Sequence, residues 1–167
     1  MKYRFLLFVI VYLAGLFSIN AQIPVGKWRD HFSYQKVHCL ADAGDKIYAA
    51  SELALFSFDK DEKSIEKLSK ANGLSDSEIK RIAYHKDSEA LLVIYENSNI
   101  DILVGNTVYN LTDLKRKQIA ADKTVYGIYF YDNLAFLSCG FGIVLIDLER
   151  LEFKDTYLIG ENAGYVK

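Results

Sequence analysis

A short apolar pattern occurs three times along the chain, and this recurrence constrains the fold more than any other feature. The windows 45–59, 89–103 and 133–147 each start 44 residues after the one before. Each window opens with a polar residue of a predicted turn and continues with two short apolar runs. Five columns are apolar in all three windows, those of Ile47, Tyr48, Ala49, Phe56 and Phe58. The chain is therefore predicted to be a row of copies of one small unit.

Each copy contains enough short runs for four β-strands. A strand-like run precedes each window, at 37–40, 79–84 and 125–130, and a weaker one follows it, at 64–68, 107–111 and 152–157. These runs are too short, too alternating and too rich in β-branched and aromatic residues for helices. A sandwich or jelly roll also has short strands at even spacing, but it does not explain the recurrence. Four strands in about 44 residues is the size of a propeller blade.

The predicted fold class is therefore all-β, with about three four-stranded antiparallel blades that form an incomplete β-propeller after a signal peptide. The blades are expected near residues 36–76, 77–122 and 123–164, and Tyr165-Val166-Lys167 resembles the start of a fourth. Propellers close with roughly 4–8 blades. We therefore expect the sequence to be the N-terminal part of a longer polypeptide, in which further blades cover the ends of this row.

Residues 1–21 have the pattern of a secretory signal peptide. Lys2 and Arg4 give a positive start, an apolar run covers 5–17, and the small residue Ala21 stands before Gln22 as the expected cleavage point. The run is shorter than the roughly 20 residues that a transmembrane helix needs. The mature protein is thus predicted to be exported, to the periplasm or the outer-membrane surface of a Gram-negative bacterium. Cys39 and Cys139 fall in different blades, so we expect two small buried thiols and no disulfide.

No catalytic or metal-binding motif is found. His31, His38 and His85 lack metal-ligand spacing, so the sequence predicts no metal, no cofactor and no enzyme activity. A formal net charge of −2 argues against a nucleic-acid surface. One candidate binding site remains, the basic run Lys115-Arg116-Lys117, which suits an anionic sugar or lipid headgroup. The alternative is that this run is ordinary exposed loop charge.

The stretch Asn72-Gly73-Leu74-Ser75-Asp76 is expected to be the turn between the first two blades. Asn-Gly tolerates positive φ, Leu74 can insert between blades, and Ser75 and Asp76 can accept hydrogen bonds from free backbone N–H groups at the bend. This turn and the Ile79 and Ile82 positions after it resemble the propeller repeat of periplasmic sensors in two-component systems. That resemblance implies an alternative function, recognition of an oligosaccharide by a sensor.

Residues 22–34 carry the only proline and the only tryptophan, and they are interpreted as a closing strand (22–35) with Trp28 as a core plug. This start, from Gln22 through Trp28-Arg29-Asp30-His31 to Tyr34, resembles the PorZ family, exported propeller proteins of the type IX secretion system in Bacteroidetes. The resemblance implies two propellers followed by a C-terminal sorting domain at the outer-membrane surface. It also implies work with the PorU sortase and with anionic lipopolysaccharide. A propeller hydrolase or lyase is the third class considered, but no acid/base pair can be named for it.

Overall fold

The computed structural model describes residues 34–159, which form three four-stranded antiparallel sheets and one short helix. The first sheet contains β1 (Cys39–Asp42), β2 (Lys46–Ala50), β3 (Leu55–Asp59) and β4 (Ile65–Leu68). The second contains β5 (Ile79–His85), β6 (Ala90–Tyr95), β7 (Ile100–Val104) and β8 (Thr107–Leu111). Helix α1 (Asp113–Arg116) precedes the third sheet, which contains β9 (Val125–Tyr131), β10 (Leu134–Cys139), β11 (Gly142–Asp147) and β12 (Glu152–Leu158).

The predicted all-β class and the three four-stranded antiparallel units are confirmed. Within each sheet the strands lie side by side in chain order, as in a meander. Two details differ from the sequence prediction. The first strand begins at Cys39 rather than Val37, and Lys115 and Arg116 of the basic run end a short helix, with Lys117 as its C-cap. Trp28, the signal peptide with its cleavage point, most of the closing strand and residues 165–167 lie outside the described residues.

The second sheet is the centre of the structure because both of its faces are buried. All six residues of β6 are buried, and successive side chains point to opposite faces. Ala90, Leu92 and Ile94 belong to a core shared with the third sheet, whereas Leu91 and Val93 belong to a core shared with the first. A near-continuous apolar strand is what burial on both faces requires.

The 44-residue spacing holds for the second strand of each sheet but fails for the third strand of the central one. Ala50 pairs with Leu55 in the first sheet, whereas Ile94 pairs with Ile100 in the second, so the β6–β7 connection is one residue longer. The strand pairing places Asp101 at the position that Phe56 and Val144 occupy in the other two sheets. A plain shift of 44 residues would place Ile100 there instead. The extra residue brings a carboxylate into an otherwise apolar column.

Each outer sheet has one face that the second sheet does not cover. On the first sheet, the ring of Tyr34 packs edge-on against Phe56 at 6.1 Å, on the side away from the second sheet. On the third sheet, Tyr129 and Tyr131 are 68% and 62% exposed. Phe136 lies on the same face of the third sheet. It follows Leu92 by 44 residues, and Leu92 packs between the second and third sheets. The uncovered face of the third sheet therefore repeats positions that are buried one sheet earlier.

Cys39 and Cys139 are half-buried free thiols in the first and third sheets. Burial raises the pKa of Cys39, although a backbone hydrogen bond and the charge of Arg81 oppose this. Burial, with a smaller contribution from the charge of Asp122, raises the pKa of Cys139 to about 11. Both groups are therefore protonated at neutral pH and have little thiolate character. Over residues 34–159, no helix has the length and apolar character needed to cross a membrane.

Two isoleucines test whether the central sheet carries the stability. Ile94 is fully buried between the second and third sheets, whereas Ile65 on the edge strand β4 is 61% exposed. We expect Ile94→Ala to lower the free energy of unfolding by about 2–5 kcal/mol, because it leaves a cavity in a packed core. The matched change Ile65→Ala should cost less than about 0.5 kcal/mol. Urea unfolding of residues 22–167, followed by circular dichroism, measures both, and equal losses would contradict this assignment of the core.

Candidate functional site

The turn at Asn72–Asp76 joins the first sheet to the second, but it works differently from the sequence prediction. Of the Asn72-Gly73 pair, only Gly73 has a positive φ, at 149°. Asn72 instead acts through its side chain: Oδ1 accepts from the backbone N–H of Ser69 at 2.5 Å, and Nδ2 donates to the carbonyl of Lys67 at 2.7 Å. Leu74 is buried in the core that the first and second sheets share. Its backbone N–H donates to the carbonyl of Ser69 at 3.0 Å.

The buried carboxylate of Asp101 fixes this turn to the second sheet. The backbone N–H of Ser75 and the hydroxyl of Tyr95 both donate to Oδ2, at 2.8 and 2.6 Å. The side-chain amide of Asn110 donates to Oδ1 at 2.7 Å. Ser75 therefore contributes its own N–H, whereas the sequence had predicted an accepting side chain. Three donors satisfy a carboxylate that has no exposure, and their hydrogen bonds offset the cost of its burial.

Asp76 connects the same turn to helix α1. Its carboxylate accepts from Lys115 Nζ at 2.7 Å, from the Asn97 amide at 2.6 Å and from the Ser77 N–H at 3.1 Å. Lys70 Nζ also forms an ion pair with Asp76, at a longer distance of 3.5 Å. Burial raises the pKa of Asp76, but the hydrogen bonds from Lys115, Asn97 and Ser77 outweigh burial and hold the pKa far below its usual range. The first and second sheets and the segment before the third thus meet at one charged side chain.

The basic run is only partly free to bind a ligand. Lys115 is engaged by Asp76, which is only 13% exposed. Arg116 and Lys117 are exposed, and within residues 34–159 their side chains form no hydrogen bond or ion pair. Lys123 adds a fourth cation, since its Nζ donates to the carbonyls of Lys115 at 2.8 Å and Lys117 at 3.2 Å. Of the three predicted residues, Arg116 and Lys117 are therefore the ones available to an anion.

Arg116 and Lys117 border a cavity of about 370 Å³ between helix α1 and the third sheet. Phe153 and Thr156 of β12 form the opposite wall. An anionic group in this cavity could accept hydrogen bonds from a guanidinium and an ammonium, while Phe153 offers an apolar surface beside them. The arrangement suits binding by charge and hydrogen bonding. In the described part of the chain, no three His, Cys, Asp or Glu side chains converge as metal ligands would.

Sequence reasoning missed Asp101 with its donors Tyr95 and Asn110, and it also missed Asn97 and Lys123. Asp101 offered a signal, because it is a carboxylate inside an apolar strand. Lys123 offered none, since its position near the carbonyls at the end of α1 depends on a helix that the sequence had not predicted. The predicted structural residues Asn72, Gly73, Leu74 and Asp76 all lie in the junction turn, and Lys115 meets them through Asp76.

Repeated four-stranded antiparallel sheets that pack face to face define this chain as a β-propeller protein. The chain belongs to the family of the N-terminal β-propeller domain of PorZ of the type IX secretion system, whose family model matches residues 47–167. No curated protein sequence matches it significantly.

Solved structures agree with this family. The chain is similar to PorZ of Porphyromonas gingivalis, described as an essential bacterial surface component of the type-IX secretion system, with 28% identity and a TM-score of 0.74. This match covers 79% of the chain but only 18% of that protein.

More distant structures share the fold alone. AztD of Citrobacter koseri is 14% identical, with a TM-score of 0.58, covering 77% of this chain and 35% of that one. The extracellular domain of BT4673, a hybrid two component system of B. thetaiotaomicron, is 11% identical with a TM-score of 0.60, covering 79% and 18%.

The carboxylate of Asp76 should make the stability of the junction depend on pH. Its folded-state pKa is lowered, so its contribution is fully present above the unfolded pKa of about 4 and is lost as the pH falls through the folded value. We expect Asp76→Asn to lower the free energy of unfolding by about 1–3 kcal/mol at pH 7, and the difference from wild type should narrow below about pH 4. Asp87→Asn, an exposed acid on the β5–β6 turn, is the control and should change little. A difference that is constant with pH would exclude this role for the Asp76 carboxylate.

Proposed function

We propose that this chain is the first part of a non-catalytic scaffold and binding module in type IX secretion. In this proposal it works with the PorU sortase in delivering anionic lipopolysaccharide to secreted cargo. Membership in the PorZ N-terminal propeller family is the observation that carries the proposal. The chain spans less than a fifth of the similar PorZ structure, so the functions of a whole PorZ come to it only as a proposal.

The geometry supplies a place where an anionic glycolipid could bind. Arg116 and Lys117 are exposed beside the cavity under α1 and have no ionic partner within residues 34–159. Lys115 contributes positive charge but is held by Asp76, so its role is to fix the helix. Phosphate or carboxylate groups of a lipopolysaccharide would contact Arg116 through its planar guanidinium and Lys117 through its ammonium.

We also propose the unit boundaries and the export route that the sequence predicts. The blades cover about 36–76, 77–122 and 123–164, after a signal peptide (1–21) removed between Ala21 and Gln22. The uncovered face of the third sheet then packs on a fourth blade that begins near Tyr165. Supporting this, the face carries apolar residues in the positions that are buried between the second and third sheets.

A sensor of a two-component system is the second candidate function. The extracellular domain of BT4673 shares the fold, and the Asn72–Asp76 turn resembles the repeat of sensor propellers. The two candidates differ in the domains expected beyond Lys167 in a longer polypeptide. A transmembrane helix and a histidine kinase would establish the sensor, and a second propeller with a sorting domain would establish the secretion component.

The basic run is tested with the full-length protein and purified anionic lipopolysaccharide. The double variant Arg116→Gln, Lys117→Gln is expected to bind at least about tenfold more weakly, because it loses two charge-assisted contacts worth about 1.5 kcal/mol or more each. The control double variant Lys86→Gln, Arg150→Gln removes the same charge from hairpin turns at the opposite end of the strands and should bind normally. Equal loss in both variants would mean that net charge, rather than this site, determines binding.

The role beside the sortase is tested by capture. The full-length wild-type protein is immobilised and exposed separately to purified PorU sortase and to anionic lipopolysaccharide, with bound material measured by surface plasmon resonance. We expect both to be retained. Retention of neither would exclude the secretion role proposed here.

Packing of a fourth blade is tested at Phe136. In the full-length protein, Phe136→Glu should destabilise the first propeller by about 2–5 kcal/mol, because it would bury a charge at the face between the third and fourth blades. The same substitution in residues 22–167 alone should cost much less, since the face is then open to water. Urea unfolding of the full-length protein and of residues 22–167 measures the loss of stability in each. Equal losses in the two would mean that no blade covers this face.

A further inference from the structure

A cavity of about 520 Å³ lies between the first and second sheets, away from the basic run. We call it the first-junction groove and define it by Asp45, Tyr48 and Glu66 on the first sheet and Tyr84, Glu89 and Val108 on the second. Tyr48 and Tyr84 stack on each other across the junction, with ring centroids 6.1 Å apart and planes 24° apart. The groove thus has an aromatic floor built by two different sheets.

The charge of the groove is strongly one-sided. Asp45, Glu66 and Glu89 line it, against a single ammonium, that of Lys46. Within residues 34–159, the three carboxylates form no side-chain hydrogen bond and no ion pair. This environment raises the pKa of the hydroxyl groups of Tyr48 and Tyr84. Burial raises the pKa of Tyr48, and so do the charges of Tyr84, Asp45 and Glu66. Burial, followed by Glu89 and Asp45, likewise raises the pKa of Tyr84.

The second junction shows that such a groove is not a general consequence of blade packing. Strand pairing identifies the residues in equivalent positions: Leu92 for Tyr48, Phe130 for Tyr84, Tyr109 for Glu66 and Phe153 for Val108. Leu92 is fully buried, and Phe130 and Phe153 pack against the same core. Helix α1 adds Leu114, which is 2% exposed, to that core. At the positions of Tyr48, Tyr84 and Val108, the second junction is therefore filled by apolar side chains where the first stays open and polar.

The walls can also accommodate an aliphatic chain. Leu68, Leu103 and Val108 also line the groove. An arginine or lysine side chain combines a methylene stem with a cationic head, and cations bind favourably to both carboxylates and tyrosine faces. An anionic group would instead face three carboxylates, so the lipopolysaccharide proposed for the basic run does not fit here.

We propose that the first-junction groove binds a basic side chain, arginine above all, presented by a partner polypeptide. The guanidinium lies against the Tyr48–Tyr84 pair and forms charge-assisted hydrogen bonds with Glu66 and Glu89. The planar guanidinium suits stacking and paired hydrogen bonds better than an ammonium, so arginine binds more tightly than lysine. This site goes beyond the function proposed above and does not depend on lipopolysaccharide binding.

The probe is the pentapeptide Ac-Gly-Arg-Gly-Arg-Gly-NH2, titrated into the full-length protein by calorimetry at low salt. A matched peptide with citrulline in place of both arginines keeps the shape and removes the charge. We expect the citrulline peptide to bind at least about tenfold more weakly. The double variant Glu66→Gln, Glu89→Gln should lose arginine-peptide binding by a similar factor. The control Glu149→Gln, Glu152→Gln removes the same charge from the β11–β12 turn and the first residue of β12, and it should bind normally.

A second variant reproduces the residues of the closed junction. Tyr48→Leu with Tyr84→Phe should abolish detectable binding of the arginine peptide while keeping the fold, because Leu92 and Phe130 occupy the same positions in the second junction. All variants of the first-junction groove should bind anionic lipopolysaccharide as the wild type does. This result would distinguish the groove from the lipopolysaccharide site proposed at Arg116 and Lys117.

Three results would overturn the proposal. Equal affinity for the arginine and citrulline peptides would remove the role of charge, and equal loss in both double glutamine variants would make the binding non-specific. Binding of a neutral saccharide such as maltoheptaose, without binding of the arginine peptide, would assign the groove to a sugar.

Discussion

The structure depends on the second sheet being buried on both faces. Its strand β6 alternates side chains between two cores, one shared with the first sheet and one shared with the third. Neither outer sheet has this support within the described residues, since each keeps one face that no other described sheet covers. The stability of the row therefore rests on face-to-face contact between neighbouring sheets, as expected for repeat architectures in which each unit contacts only its neighbours.

The polar junction then determines how the first two sheets are joined. Apolar faces alone allow neighbouring sheets to slide, because hydrophobic contact is not directional. The buried Asp101 removes that freedom, since it must satisfy its oxygens with Ser75 of the turn and with Tyr95 and Asn110 of its own sheet. Asp76 adds a connection to Lys115, beyond the second sheet. The turn is thus held by directional bonds to side chains of the second sheet and of helix α1.

The sequence predicted the fold well because the positions that determine the fold repeat. Apolar alternation at 44-residue spacing located all three central hairpins, and the turn at Asn72 located the first boundary. The site was predicted less well. Strand propensity carries no information about one extra residue in the β6–β7 connection, which moves Asp101 into an apolar column. A four-residue helix such as α1 is equally hard to foresee, because isolated helices of that length are unstable without tertiary packing.

Comparison of the two junctions explains where function can reside in such a chain. Positions that serve the fold are apolar in every copy, because each copy has to bury the same face. Residues of the turns and edge strands are released from that requirement, and here they contribute to two groups of opposite charge. One is the basic run beside helix α1, at the second junction, and the other is the acidic groove with Tyr48 and Tyr84, at the first. Neighbouring junctions therefore carry groups of opposite charge, so that an anion is favoured at one and a cation at the other.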